Sequence, residues 1–86
     1  MFRWDEDKRA ANLVKHGIDF ASVRDFEFGT ALVLADTRHD EPRLTAVGLV
    51  GDRLHVLVFT VETRSVRVIS LRKANKREIR AYVEVV

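Results

Sequence analysis

The sequence predicts an α+β domain: a small antiparallel sheet of four to five strands, two N-terminal helices and a C-terminal helix, in the order β-α-α-β-β-β-β-α. Two observations predict it. Helix-period segments with cap and stop residues lie at both ends of the chain, and runs rich in β-branched residues, joined by very short polar links, fill the middle. The 86 residues suffice for one domain spanning 1–86.

Taken in order, residues 1–4 read as a short strand. The first helix is expected over residues 5–16, with Asp5 as N-cap, Glu6 and Asp7 beside its positive start, Lys15 and His16 in its last turn and Gly17 as its left-handed stop. Ala10, Leu13, Val14 and Gly17 form the stripe expected to face the core, whereas Lys8, Asn12, Lys15 and His16 align on a polar face. Asp19 caps a second short helix expected over 20–28, with Phe20, Val23 and Phe26/Glu27 at helical spacing. After Gly29 the pattern changes to strands at 30–36, 43–50, 54–62 and 66–72, with a polar loop at 37–42. The links at 51–52 and 63–65 are so short that the last three strands are expected to form an antiparallel meander. The run at 54–62 is apolar on nearly both faces, which predicts a central, covered strand. The last helix starts near Asn75, which with Glu78 makes a capping box. Ile79, Tyr82, Val83 and Val86 give its apolar stripe, with Tyr82 expected to pack in the core.

Composition narrows the function. With 47% hydrophobic and 33% charged residues the chain is a folded domain. It has no cysteine, hence no disulfide framework and no thiolate nucleophile, which suits a cytoplasmic location. The first ten residues lack the apolar run of a signal peptide, and no membrane span is expected. His16, His39 and His55 are scattered without metal-ligand spacing, no glycine-rich phosphate loop is present and Ser70 lacks an elbow motif, so neither metal nor cofactor is expected. The net charge of +2 conceals an asymmetry. Residues 64–80 hold seven Lys/Arg against Glu78 alone, a local +6, while the rest carries −4. A one-sided basic patch is the footprint of an anion or nucleic-acid binder.

Metal-free RNA cleavage needs a base for the 2′-hydroxyl, a cation for the growing phosphorane charge and an acid for the leaving 5′-oxygen. Arg suits the second role through its two-pronged, permanently charged fork, and Lys, His, Glu or Tyr serve the others. Arg64, Arg67, Arg72, Lys73, Glu62, Lys8, His16 and Tyr82 are available. Each has a plainer reading: Arg67 as the wet face of a strand, Arg72 and Lys73 as partners of backbone or Glu78, Glu62 as a partner of Arg64 or Arg67, and the α-helical polar face as merely solvated.

Three segments resemble the BrnT toxins. "WDEDKRAANLVKHGIDF" is similar to their N-terminal W-D-x-x-K-x-x-x-N-x-x-K-H-G-[VI]-x-F through Trp4, Asp5, Lys8, Asn12, Lys15, His16, Gly17 and Phe20. "RLTAVG" supplies Arg43 and Gly48, and the segment 58–82 supplies Thr60, Arg67, Ile69, Ser70, Arg72, Lys73, Ala74, Glu78 and Tyr82. Phe59 stands where the family has Tyr, Val68 where it has Ile and Leu71 where it has Ala, and the turn at 62–66 is less regular. The resemblance implies a RelE-like fold and a ribonuclease toxin that arrests translation. It also implies a hetero-oligomer with a BrnA-like antitoxin, through which alone DNA would be contacted. The candidate catalytic residues are then Arg67, Arg72, Lys8, His16 and Glu62, and the candidate RNA-binding residues are Lys15, Asn12, Arg64, Lys73 and Arg43. The alternative from a different class is a non-catalytic module, or a degenerate toxin, whose basic segment 64–80 binds nucleic acid or an acidic protein.

Overall fold

A computed structural model describes residues 1–37 and 40–85. Arg38 and His39 of the expected polar loop, and Val86 of the expected last stripe, lie outside the described residues. Strand β1 (Phe2–Arg3) leads into helix α1 (Glu6–His16), two 3-10 segments (Phe20–Asp25 and Phe28–Thr30), strands β2 (Leu32–Asp36), β3 (Arg43–Val50), β4 (Arg53–Val61) and β5 (Val66–Lys73), and helix α2 (Lys76–Val85). The five strands form one sheet in the order β1-β5-β4-β3-β2. Strands β2 to β5 are an antiparallel meander with β4 at the centre. The sheet is mixed, not purely antiparallel as expected, because β1 runs parallel to β5. The chain leaves β1 at one edge and returns at the opposite edge as β2, carried there by α1 and the 3-10 segments.

Helix α1 follows its local signals. The Asp5 carboxylate accepts from the Asp7 and Lys8 N–H groups, and Gly17 at φ 72° donates to Leu13 O. Its orientation corrects the expected core stripe: Leu13 is 41% and Val14 89% exposed, whereas Asn12 is buried. The reason lies in β1. That strand covers β5 only at Val66 and Arg67, so the remaining edge of β5 needs polar partners. Asn12 provides both kinds. Its Nδ2 donates to Leu71 O at 2.8 Å and to Ile18 O at 3.1 Å, and its Oδ1 accepts from Leu71 N at 3.3 Å. One side-chain amide thus takes the place of a neighbouring strand.

The expected second helix over 20–28 is instead a 3-10 turn that ends at Asp25, capped by Asp19 through the Ala21 N–H. Phe26 is drawn into an extended bridge with Val50, and Glu27 N–H donates to Leu49 O, so pairing with β3 overrides helical spacing. Phe26 packs where Gly48 has no side chain; a Cβ there would stand 2.7 Å from the Phe26 ring. The core is Phe20, Val23 and Phe26 against Ala46, Leu57, Phe59, Val68 and Leu71 on one face of the sheet. A register shift beside Val58 and Phe59 leaves Ile69 as the extra residue of β5. It returns Leu71 to the core face already occupied by Val68.

Helix α2 has the expected box: Glu78 N–H donates to Asn75 Oδ1 and Asn75 N–H to Glu78 Oε1, both at 2.8 Å. Its apolar stripe is not core. Ile79 and Val83 are exposed, and Tyr82 is half-buried with its hydroxyl donating to Thr30 O. Held by Arg72 at one end and Thr30 at the other, α2 runs from β5 towards the β2 edge, at the end of the second sheet face where Val56 and Val47 are buried. A short helix can be secured by polar tethers while its stripe stays outside. Among the described residues no helix is long and apolar enough to cross a membrane.

Candidate RNA-binding face

The sheet face opposite the core is defined by register. Thr60 pairs with Arg67, Arg67 with Arg3, and Asp36 with Arg43. One residue beyond the Leu44–Phe59 pair, Arg43 lies beside Thr60. A single row across five strands therefore carries Arg3, Arg67, Thr60, Arg43 and Asp36. The next row holds Ser70, Val58, Thr45 and Leu34, none of them fully buried.

Arg67 meets two carboxylates: Glu41 Oε1 is 2.5 Å from its Nη2, and Glu62 Oε2 is 3.7 Å from its Nε. Glu62 is anchored elsewhere. Arg3 grips it with two prongs at 2.5 and 3.0 Å, and the Ser65 hydroxyl donates to it at 3.0 Å. Arg3 above all, then Ser65 and the charge of Arg67, hold the Glu62 carboxyl down at about 2. In this arrangement Glu62 clamps Arg3 and lies against Arg67.

Among the described residues, two buried polar atoms on this row, Arg43 Nε and Thr60 Oγ1, have no hydrogen-bond partner. Such atoms are uncommon in folded proteins, since each costs on the order of 1–3 kcal/mol.

Beside the row, Lys8, Lys15 and His16 line a cleft of about 220 Å³ with Ala11, Asn12, Ile69 and Ser70. The structure thus brings Lys8, Lys15 and His16 together as expected. Asn12 lines the cleft too, with its amide engaged by backbone. Ser70 belongs both to the cleft and to the open sheet face, so the cleft leads onto the row of Arg67 and Arg43. Among the described residues, Lys8, Lys15, Arg64 and Lys73 have no ion-pair partner.

Arg72 shares the face but not the site. Both of its prongs lie on Glu78, at 2.8 and 2.7 Å, and Arg72 in turn holds the Glu78 carboxyl below the usual range. The plainer reading of Arg72 as a partner of Glu78 is observed. Arg64 is exposed in the β4–β5 turn, which adjoins the Thr60–Arg67 end of the row, and Lys73 is exposed at the far end of β5. Sequence reasoning missed Arg3, Glu41 and Thr60 as neighbours of Arg67. Thr60 alone had a signal, as a motif match with no chemical role attached. Among the described residues no three His, Asp or Glu side chains gather as a metal ion would require.

The fold is an α+β domain whose helix–sheet cleft is lined by Lys8, Lys15 and His16. A family model described as "Ribonuclease toxin, BrnT, of type II toxin-antitoxin system" matches residues 4–78. The chain belongs to this BrnT family of ribonuclease toxins. Among curated proteins nothing matches it.

Proposed function

We propose that this chain cleaves RNA without a metal ion in a RelE-like fold, arresting translation in the cytoplasm until a BrnA-like antitoxin sequesters it. The observation that carries this reading is the continuity of the α1–β5 cleft with the sheet face at Ser70. An RNA strand can follow that track with its phosphates on Lys8 and Lys15 and its reacting phosphodiester near Arg67. Arg67 then stabilises the charge that develops on the phosphorane. His16, on the cleft wall without an ion-pair partner, is the group suited to move a proton between the 2′-hydroxyl and the leaving 5′-oxygen. Arg43 contacts the RNA backbone on the same row as Arg67. Large exposed apolar residues on both helices, Leu13 and Val14 on α1 and Ile79, Val83 and Val85 on α2, support a protein partner that covers them. DNA contact belongs to that partner.

The test is RNA cleavage in EDTA. Wild type is expected to cut, and His16→Ala to lose about 10²–10⁴-fold in rate. Binding without cleavage by the wild-type chain would favour the module of the alternative reading, and restoration of cutting only by added metal would remove the metal-free mechanism.

A further inference from the structure

We propose that Arg43, Thr60 and Arg67 form the seat of one RNA phosphate, and that Glu41 fills this seat in the RNA-free protein as an internal substitute for the phosphate. The inference rests on the ribonuclease reading and deepens it.

Three observations carry it. Thr60 is only 7% exposed, and its hydroxyl is buried without a partner. Arg43, next to it on β3, has a buried Nε–H also without a partner. Thr60 stands between Arg67 and Arg43 on one row, so two unused donors lie on the same side of the Arg67 guanidinium. Unused buried donors beside a cation are what an oxyanion ligand satisfies. A phosphate there has non-bridging oxygens for Arg67 on one side and for Thr60 Oγ1 and Arg43 Nε on the other.

The carboxylates around Arg67 are unequal. Glu62 is locked by Arg3 and Ser65 and stays in place. Glu41 is the more exposed of the two, and among the described residues its side chain pairs with Arg67 alone. A single-point carboxylate on an arginine is easily exchanged for a phosphate, which brings more oxygens to the same donors. Asp36 adjoins Arg43 in register and has interactions of its own, so the seat retains an acidic border on the β2 side.

The experiment measures binding of a 2′-O-methylated RNA oligonucleotide, whose blocked 2′-oxygen prevents cutting, with thermal melts run in parallel. Glu41→Gln is expected to tighten binding several-fold by emptying the seat. Thr60→Val is expected to weaken it roughly tenfold, as loss of one hydrogen bond to a charged group does. Its melting temperature should be unchanged or higher, because an unpartnered buried hydroxyl is removed. Thr60→Ser, which keeps the hydroxyl, should restore binding. Wild-type affinity in both Glu41→Gln and Thr60→Val would overturn the seat and leave the ribonuclease reading standing. Absence of oligonucleotide binding in wild type and Glu41→Gln alike would overturn both.

Discussion

Arg67 and Arg72 lie on the same strand and the same sheet face, and each meets a glutamate, yet the two pairs are built for opposite ends. Arg72 grips Glu78 with both prongs, and the same carboxylate closes the capping box of α2 by accepting from Asn75 N–H. Arg67 touches Glu41 with one nitrogen, across 26 positions of sequence, beside two unpartnered buried donors. A guanidinium whose carboxylate partner is itself part of a local motif is a fastener. One whose partner arrives from a distant segment, at one point, is held by less and is the pair we propose RNA displaces.

The largest expected effect separates them directly. Arg67→Ala should lower kcat/KM for RNA about 10²–10³-fold, as removal of one transition-state donor does, with little change in melting temperature. Arg67→Lys should recover little, because an ammonium cannot reproduce the fork. Arg72→Ala should do the reverse: stability falls by about 1 kcal/mol, from the ion pair and the weakened cap, while kcat/KM stays within a few-fold. Equal losses of activity in both alanine variants would erase the distinction.

The same contrast recurs on α1, and it explains what was legible in the sequence. Asn12 and Lys8 share a helical face and a motif, but only Asn12 turns inward. Asn12→Ala strands the Leu71 N–H and C=O at the β5 edge and should cost roughly 2–4 kcal/mol. The affinity of the folded remainder for a 2′-O-methylated RNA oligonucleotide should not change. Lys8→Ala should show weaker oligonucleotide binding at wild-type stability. Intact stability in the Asn12 variant would return that residue to the RNA-facing set.

Features whose cause is local were readable: the Asp5 cap, the Gly17 stop, the Asn75–Glu78 box, the meander and the covered β4. Features whose cause is a distant pairing were not. The inward turn of Asn12 depends on β1 being two residues long, and the short 3-10 turn depends on Phe26 pairing with Val50. The row of Arg43, Thr60 and Arg67 exists only once three strands are in register, which is why Thr60 matched a motif without receiving a role.

The smallest effect tests the clamps themselves through acid. Glu62, with its carboxyl held at about 2 against an ordinary 4.5, and Glu78, also lowered, both resist protonation in the folded state. A depressed folded value stabilises above the unfolded pKa and loses that contribution as pH falls through the folded one. The stabilisation from Glu62 is therefore complete above about pH 4.5 and disappears towards about pH 2. Glu62→Gln and Glu78→Gln should each flatten the acid limb of a melting-temperature profile. Added salt should shrink the Glu62 effect more, because the Arg3–Glu62 side chains are 57% and 33% exposed, against 33% and 23% for Arg72–Glu78. If the acid limb of Glu78→Gln overlays that of wild type, the fork on Glu78 is not fastening α2, and Arg72 becomes available to RNA after all.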